Sequence, residues 1–238
     1  EGKKNMLING LVWMGEEHFM KSQNEEKLAQ GFSCIKLKIG AIDFEKELGL
    51  LRFIRQNFDA KTIEIRVDAN GAFASNEALS KLNQLHEFEL HSIEQPIKAN
   101  QIQEMKLLCQ QTPFPIALDE ELIGVFGIEK KQKLLEEIKP QYIILKPSLI
   151  GGFKGTLEWI SIAESLNIGW WITSALESNI GLNAITQFTF TLNNPMPQGL
   201  GTGGLYTNNF DCPLQIENGH IQYNVDKQWG ISNLGLQL

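Results

Sequence analysis

Ile35-Lys36-Leu37-Lys38-Ile39-Gly40 alternates apolar and basic residues. In a β-strand successive side chains leave opposite faces, so Ile35, Leu37 and Ile39 share one face and Lys36 and Lys38 the other. The apolar row needs a core. For the lysines two readings compete: solvated guards of an edge strand, or cations turned into a polar interior. The chain on either side favours the second. At intervals of about 25–30 residues further strand candidates follow, several ending in a polar residue: Asp68, Glu94, Asp119, Lys146 and Ser174. A closed parallel barrel makes those endings converge.

Working outward, strands are expected over 7–13, 35–39, 62–68, 91–94, 115–119, 142–146, 168–173 and 198–200. Helices are expected over 16–30, 43–57, 75–86, 101–111, 127–138, 151–166 and 179–192. Gly31 suits the left-handed position after the first helix, Asp43 suits an N-cap, and Pro96 and Pro147 close strands. Strict alternation implies parallel strands with right-handed crossovers, and eight strands with seven helices imply an α/β fold, a TIM-like (β/α)7β barrel. In Ile63-Glu64-Ile65-Arg66-Val67-Asp68 the charges share one face; if that face lines the interior they must be paired. After Gly204 the pattern changes to a hairpin, 214–217 and 220–223, around Asn218-Gly219. The division expected is a barrel over 1–209 and a C-terminal segment over 210–238.

A chain of 238 residues fits one such barrel. Twenty-eight acidic against 21 basic residues, net charge -7, with no basic run, argue against nucleic acid. No stretch approaches the roughly 18 apolar residues of a membrane helix, and no signal-peptide core follows Glu1, so neither a membrane nor a secreted location is expected. Cys34, Cys109 and Cys212 are widely spaced without a Cys-x-x-Cys pair, which fits a reducing cytoplasm. The chain does not begin with Met and reads as a fragment of something longer.

In barrels of this kind the C-terminal strand ends face the active site. Asp68, Glu94 and Asp119 would bring three carboxylates there from consecutive strands, oxygen donors suited to a hard cation such as Mg²⁺. Taken singly, Asp68-Ala69-Asn70-Gly71 also reads as a turn, Glu94-Gln95-Pro96 as a solvated strand end, and Asp119-Glu120-Glu121 as a helix start. Their shared register, flanked by Lys36, Lys38 and Lys146, favours a site. A lysine beside another cation has its pKa lowered and can act as a base, which Lys36 is expected to do for Lys38. A metal on the carboxylates would stabilise the oxyanion left when a proton is removed beside a substrate carboxylate.

Lys36-Leu37-Lys38, Asp68-Ala69-Asn70, Glu94-Gln95-Pro96, Asp119-Glu120 and Lys146-Pro147, in this order, resemble the enolase superfamily in its muconate-lactonising subgroup. The resemblance covers nearly the whole chain. A Lys base working with Mg²⁺ is a known property of that superfamily, not a reading of spacing. Thr173-Ser174-Ala175-Leu176-Glu177-Ser178 looks like the seventh-strand region of the o-succinylbenzoate synthase family, which belongs to menaquinone biosynthesis.

What the resemblance implies is a Mg²⁺-dependent lyase, with Mn²⁺ as a substitute. It gives Lys38 the role of base and then acid in a syn dehydration. Lys146 faces the intermediate as a cation, and Lys36 supports Lys38. Asp68, Glu94 and Asp119 hold the metal, with Asn70 and Glu120 beside them, and Ser174 and Ala175 contact a succinyl carboxylate. The partner implied is a small-molecule carboxylate. An N-acylamino acid racemase using Lys38 and Lys146 as two bases is the alternative. A dipeptide epimerase is disfavoured because Gly199-Leu200-Gly201-Thr202-Gly203-Gly204 stands where an Asp-x-Asp amine anchor is usual. A phosphate site on those glycines stays open as a minor reading. Members also carry an N-terminal capping domain that this sequence lacks, so only the C-terminal part of the cap is expected here. Apolar residues left exposed by its absence would favour a homo-oligomer.

Overall fold

The computed structural model describes residues 5–13 and 15–230. The strands β1 (Asn5–Leu7) and β2 (Gly10–Val12) precede helix α1 (Glu17–Ala29). There follow β3 (Cys34–Lys38), α2 (Phe44–Asn57), β4 (Glu64–Asp68), α3 (Ser75–Leu85), β5 (Ser92–Glu94), α4 (Ile102–Gln111), β6 (Ile116–Leu118) and α5 (Ile128–Ile138). The alternation ends with β7 (Tyr142–Leu145), α6 (Gly152–Ser165), β8 (Gly169–Ile172) and α7 (Asn179–Leu192), before the hairpin β9 (Leu214–Glu217) and β10 (His220–Tyr223). Strands β2 to β8 form one parallel sheet in sequence order, wrapped by the helices. Among the described residues no helix is long and apolar enough to cross a membrane.

Two expected strands are altered. The segment over 7–13 changes partner part-way: Asn5–Leu7 runs antiparallel to β10, and Gly10–Val12 runs parallel to β3. Between them Ile8 bridges Gln198 and sends its N–H to the Gly219 carbonyl at 2.9 Å. The eighth strand shrinks to two bridges, Gln198 to Ile8 and Gly199 to Thr173, which close the ring. Pro197 supplies no N–H to extend it, and the Gln198 side chain takes over a ladder position, its Oε1 accepting the Ile172 N–H at 2.7 Å. A Cβ at Gly199 would collide with Thr173, so the close approach at this seam requires glycine.

The local signals account for much of the rest. Asp43 caps α2, its Oδ1 accepting the N–H groups of Glu45 and Lys46 at 3.1 and 3.4 Å. Gly31 has φ +76° just past α1, and the hairpin turn has Asn218 at +48° and Gly219 at +69°. The hairpin joins β1 in a separate sheet of order β1-β10-β9.

The charges of β4 do line the interior and are paired. Arg66 is buried, lies 4.1 Å over the Trp171 ring, and donates to Glu64 at 2.7 Å and to the Pro197 carbonyl at 2.9 Å. Beside it His91 packs against Tyr142, the ring centroids 4.9 Å apart and the planes tilted by 32°. Burial, and then the charge of Arg66, push His91 below the ordinary histidine value, with Glu64 opposing in part. A histidine lowered in the folded state is protonated first in the unfolded chain. Its contribution therefore becomes destabilising as pH falls below about 6.5 and levels off below the folded value. Urea denaturation at pH 7.5 and 5.5 tests this: His91→Gln should lose less stability on acidification than the parent chain.

Candidate active site at the barrel mouth

Because β3 alternates, Ile35 and Leu37 pack into the apolar core while Lys36 and Lys38 enter the barrel. The register places Lys38 beside Asp68 and Asp68 beside Glu94 on neighbouring strands. Asp119 and Lys146 stand one residue past β6 and β7. Six of the candidate residues thus meet at one end of the barrel. Asp68, Glu94 and Asp119 are 0, 2 and 1 % exposed, too buried for carboxylates without cations.

The cations present are the lysines. Lys36 Nζ lies 2.9 Å from Asp68 Oδ2 and contacts Glu94 Oε2. Lys38 Nζ donates to Asp68 Oδ2 at 2.7 Å and to Asn70 Oδ1 at 2.6 Å. Asn70 in turn donates to Glu120 Oε1 at 2.9 Å, and Lys146 contacts Asp119 Oδ2. Burial works against every charge here. At Asp68, Lys36 and Lys38 overcome it and hold the carboxyl well below the usual range. At Glu94, burial and the repulsion of Asp68 win over Lys36 and push the carboxyl well up. Burial followed by the neighbouring Asp119 raises Glu120. Lys36 and Lys146 are not lowered: burial pulls both down, but Asp68 and Glu94 around Lys36, and Asp119 and Glu94 around Lys146, push each above the ordinary lysine value.

The donor set is all oxygen, and Glu94 Oε1 is buried with no hydrogen-bond partner. Three desolvated carboxylates with one orphaned oxygen fit a hard divalent cation. As the side chains stand, no group of three carboxylate, imidazole or thiol side chains among the described residues surrounds one cation position, because the ammonium groups engage the carboxylates.

Above this floor lies a cavity of about 280 Å³ whose lining includes Lys36, Lys38, Glu94 and Lys146. Its wall carries Ser174 and Ala175, with the Ser174 hydroxyl paired to that of Thr202 at 2.5 Å. Trp13, just past β2, also lines it, with Lys38 Nζ 6.0 Å from its ring centroid, and Leu149 and Leu176 are exposed at the rim. The glycines from 199 to 204 lead into a three-residue 3₁₀ turn, Gly203–Leu205, with no long helix on which a phosphate could rest. Trp13 and Glu47 have no functional signal in the sequence, and Gln95 and Thr202 stand in its motifs only as neighbours of other candidates. Glu47 accepts the N–H of Gly40 at 2.6 Å and so fixes the loop after Lys38. Its only signal was an acidic residue in the first turn of α2.

The family described as Enolase C-terminal domain-like matches residues 20–232. This chain is a member of the enolase superfamily. It falls in the muconate-lactonising subgroup, and its fold is the TIM-like barrel of that superfamily with a separate small sheet. The o-succinylbenzoate synthase of Desulfotalea psychrophila is 56 % identical over 218 residues, covering 92 % of this chain and 59 % of that protein. The crystal structure of MenC from Desulfotalea psychrophila LSv54 superposes with a TM-score of 0.87 at 54 % identity, covering 93 % of this chain and 61 % of that one. The N-succinylamino acid racemase of Thermus thermophilus is 34 % identical over 158 residues, 66 % of this chain and 40 % of that protein. This superfamily member therefore spans somewhat over half the length of the first of these relatives.

Proposed function

We propose that this chain carries the catalytic barrel of an o-succinylbenzoate synthase, a carbon-oxygen lyase. The reaction is the syn dehydration of 2-succinyl-6-hydroxy-2,4-cyclohexadiene-1-carboxylate to o-succinylbenzoate, in menaquinone biosynthesis in the cytoplasm. The observation that carries the reading is the meeting of Lys36, Lys38 and Lys146 with three buried carboxylates under one cavity. In this reading Asp68, Glu94 and Asp119 hold Mg²⁺, or Mn²⁺ in its place. The metal, when bound, stabilises the negative charge that develops on the substrate carboxylate.

The amine of Lys38 takes the proton from the carbon α to the carboxylate, then returns it to the departing hydroxyl. Water leaves and the ring becomes aromatic. Lys146 stabilises the charge spread over the ring, while Lys36 holds Asp68 and Glu94 and keeps Lys38 in place. Asn70 and Glu120 orient Lys38 and the loop beside it. Ser174, with Ala175, meets the succinyl carboxylate from the far wall. The barrel domain is assigned to 1–209, although Asn5–Leu7 joins the sheet of the hairpin, and 210–238 to the completion of a capping domain; residues 1–4, 14 and 231–238 lie outside the described residues.

The racemase reading rests on Lys38 and Lys146 lining the same cavity, where each could serve as a base on one face of an α-carbon. Following loss of diene absorbance with Mg²⁺ and then with chelator separates the two. Turnover abolished by chelator supports the dehydratase. No turnover, together with solvent deuterium entering the α-carbon of N-succinylamino acids, replaces it with the racemase.

A further inference from the structure

Gln95 sits between Glu94 and Pro96 and is fully buried. Its φ is +37°, a conformation that residues with a Cβ rarely adopt. The hydrogen bonds around it explain why it is held there. In a regular parallel ladder the Gln95 N–H donates to Ala117, and the Gln95 carbonyl then receives the N–H of Asp119. The first bond is present at 2.9 Å. The second is not made by the backbone. The Gln95 carbonyl is turned the other way and accepts the Gly71 N–H at 2.7 Å, in the loop after β4.

The side chain replaces what the backbone gives up. Gln95 Oε1 accepts the N–H of Asp119 at 3.1 Å and of Glu121 at 3.3 Å. Its Nε2 donates to the Ile97 carbonyl at 3.0 Å and to Glu121 Oε2 at 3.3 Å. Glu121 is anchored in turn by the Asn100 N–H, 2.9 Å from Oε1. Gly71 is pressed so close to Lys98 that a Cβ would lie 2.9 Å from its Cα, which fixes the first loop against the second.

We infer that Gln95 is the positioning residue of this site, clamping the ends of β4, β5 and β6 so that Asp68, Glu94 and Asp119 can turn from the lysines onto one cation without their backbones moving apart. The inference rests on the metal reading given above. The backbone of Gln95 holds the Asp68 loop, its side chain holds the Asp119 loop, and Glu94 is its neighbour in sequence. One residue thus sets the mutual placement of three carboxylates contributed by three strands. Positioning groups of this kind change metal affinity about 10- to 100-fold when removed.

The test titrates MgCl₂ alone into the full chain by calorimetry and follows amide hydrogen exchange at Gly71, Asp119 and Glu121, with Leu37 in β3 as reference. Gln95→Met should weaken Mg²⁺ binding about 10- to 100-fold and speed exchange at all three amides but not at Leu37. Gln95→Glu places two carboxylates together at Glu121 and should weaken binding likewise. Adding Glu121→Gln to it should recover much of the loss, which guards against a Met variant that merely folds poorly. Faster exchange with unchanged Mg²⁺ affinity overturns the positioning role, and unchanged exchange overturns the clamp. If the parent chain and Glu94→Gln both fail to bind Mg²⁺, the metal reading falls and takes this use of Gln95 with it. That failure is recognised because it appears before Gln95 is altered.

Discussion

If the proposed dehydration is the chain's reaction, Lys38→Ala is expected to lower turnover of the cyclohexadiene substrate by about 10²- to 10⁴-fold, the usual worth of a positioned general acid-base group, and to leave the fold intact. The side chain lies at the edge of the cavity, and Asp68 keeps Lys36 as an ion partner after the change. No buried carboxylate is abandoned, so circular dichroism and the urea midpoint should stay near those of the parent. Lys38→Arg should be as inactive, because a guanidinium keeps its charge and cannot accept a proton near neutral pH. Lys146→Ala should lower turnover less, since it removes a stabilising charge and not the proton carrier. Steady-state rates on folded variants decide the matter: an active Lys38→Ala variant removes the mechanism, and equal losses at both lysines favour the two-base racemase.

Lys36→Met has its largest effect on stability. Lys36 sits between Asp68 and Glu94 and is itself buried. Removing one member of a buried ion cluster leaves uncompensated charge and costs about 3–5 kcal/mol. Asp68 retains Lys38, so the cost falls mainly on Glu94, already raised by burial and by the repulsion of Asp68. A carboxyl raised in the folded state binds its proton before the unfolded chain does. The penalty is therefore largest above that raised value and shrinks as pH falls towards about 4.3, where unfolded glutamate titrates. Urea denaturation at pH 7.5 and 5.5 should show a larger loss at the higher pH. Equal stability of variant and parent at pH 7.5 would mean that Lys36 does not neutralise these carboxylates.

Much of this was legible in the sequence because it depends on periods and endings. The alternation of 35–39 separates core from site by geometry alone, and the polar endings follow from parallel strands pointing the same way. Asp43, Gly31 and Asn218-Gly219 act through their own backbone or their nearest neighbours, so their roles are local and readable. Exchanges of partner are not local. Nothing in residues 5–12 marks Ile8 as the point where the chain leaves one sheet for another. Gln95 and Gln198 each lend a side-chain carbonyl to a neighbouring strand, and a glutamine beside a strand-ending proline or glycine carries no sign of this. Which lysine meets which carboxylate depends on three strands at once. The rise of Lys36 and Lys146 follows from that arrangement and not from the spacing of basic residues.

At the seam the Ile8–Gln198 bridge joins segments separated by nearly the whole length of the barrel, while the Thr173–Gly199 bridge beside it joins consecutive ones. Every other strand contact in the ring is between consecutive strands, whose loop-closure entropy is smaller, so the Ile8–Gln198 bridge carries the largest closure cost in the ring. Held by a single bridge on each side, the eighth strand is also the most thinly paired part of the ring. Ser174 and Thr202 flank this seam, whereas the carboxylates and Lys38 stand on β3 to β6, away from it. Opening at the seam would therefore reach the wall that carries Ser174 and Thr202 before it reaches the carboxylates at the ends of β4 to β6.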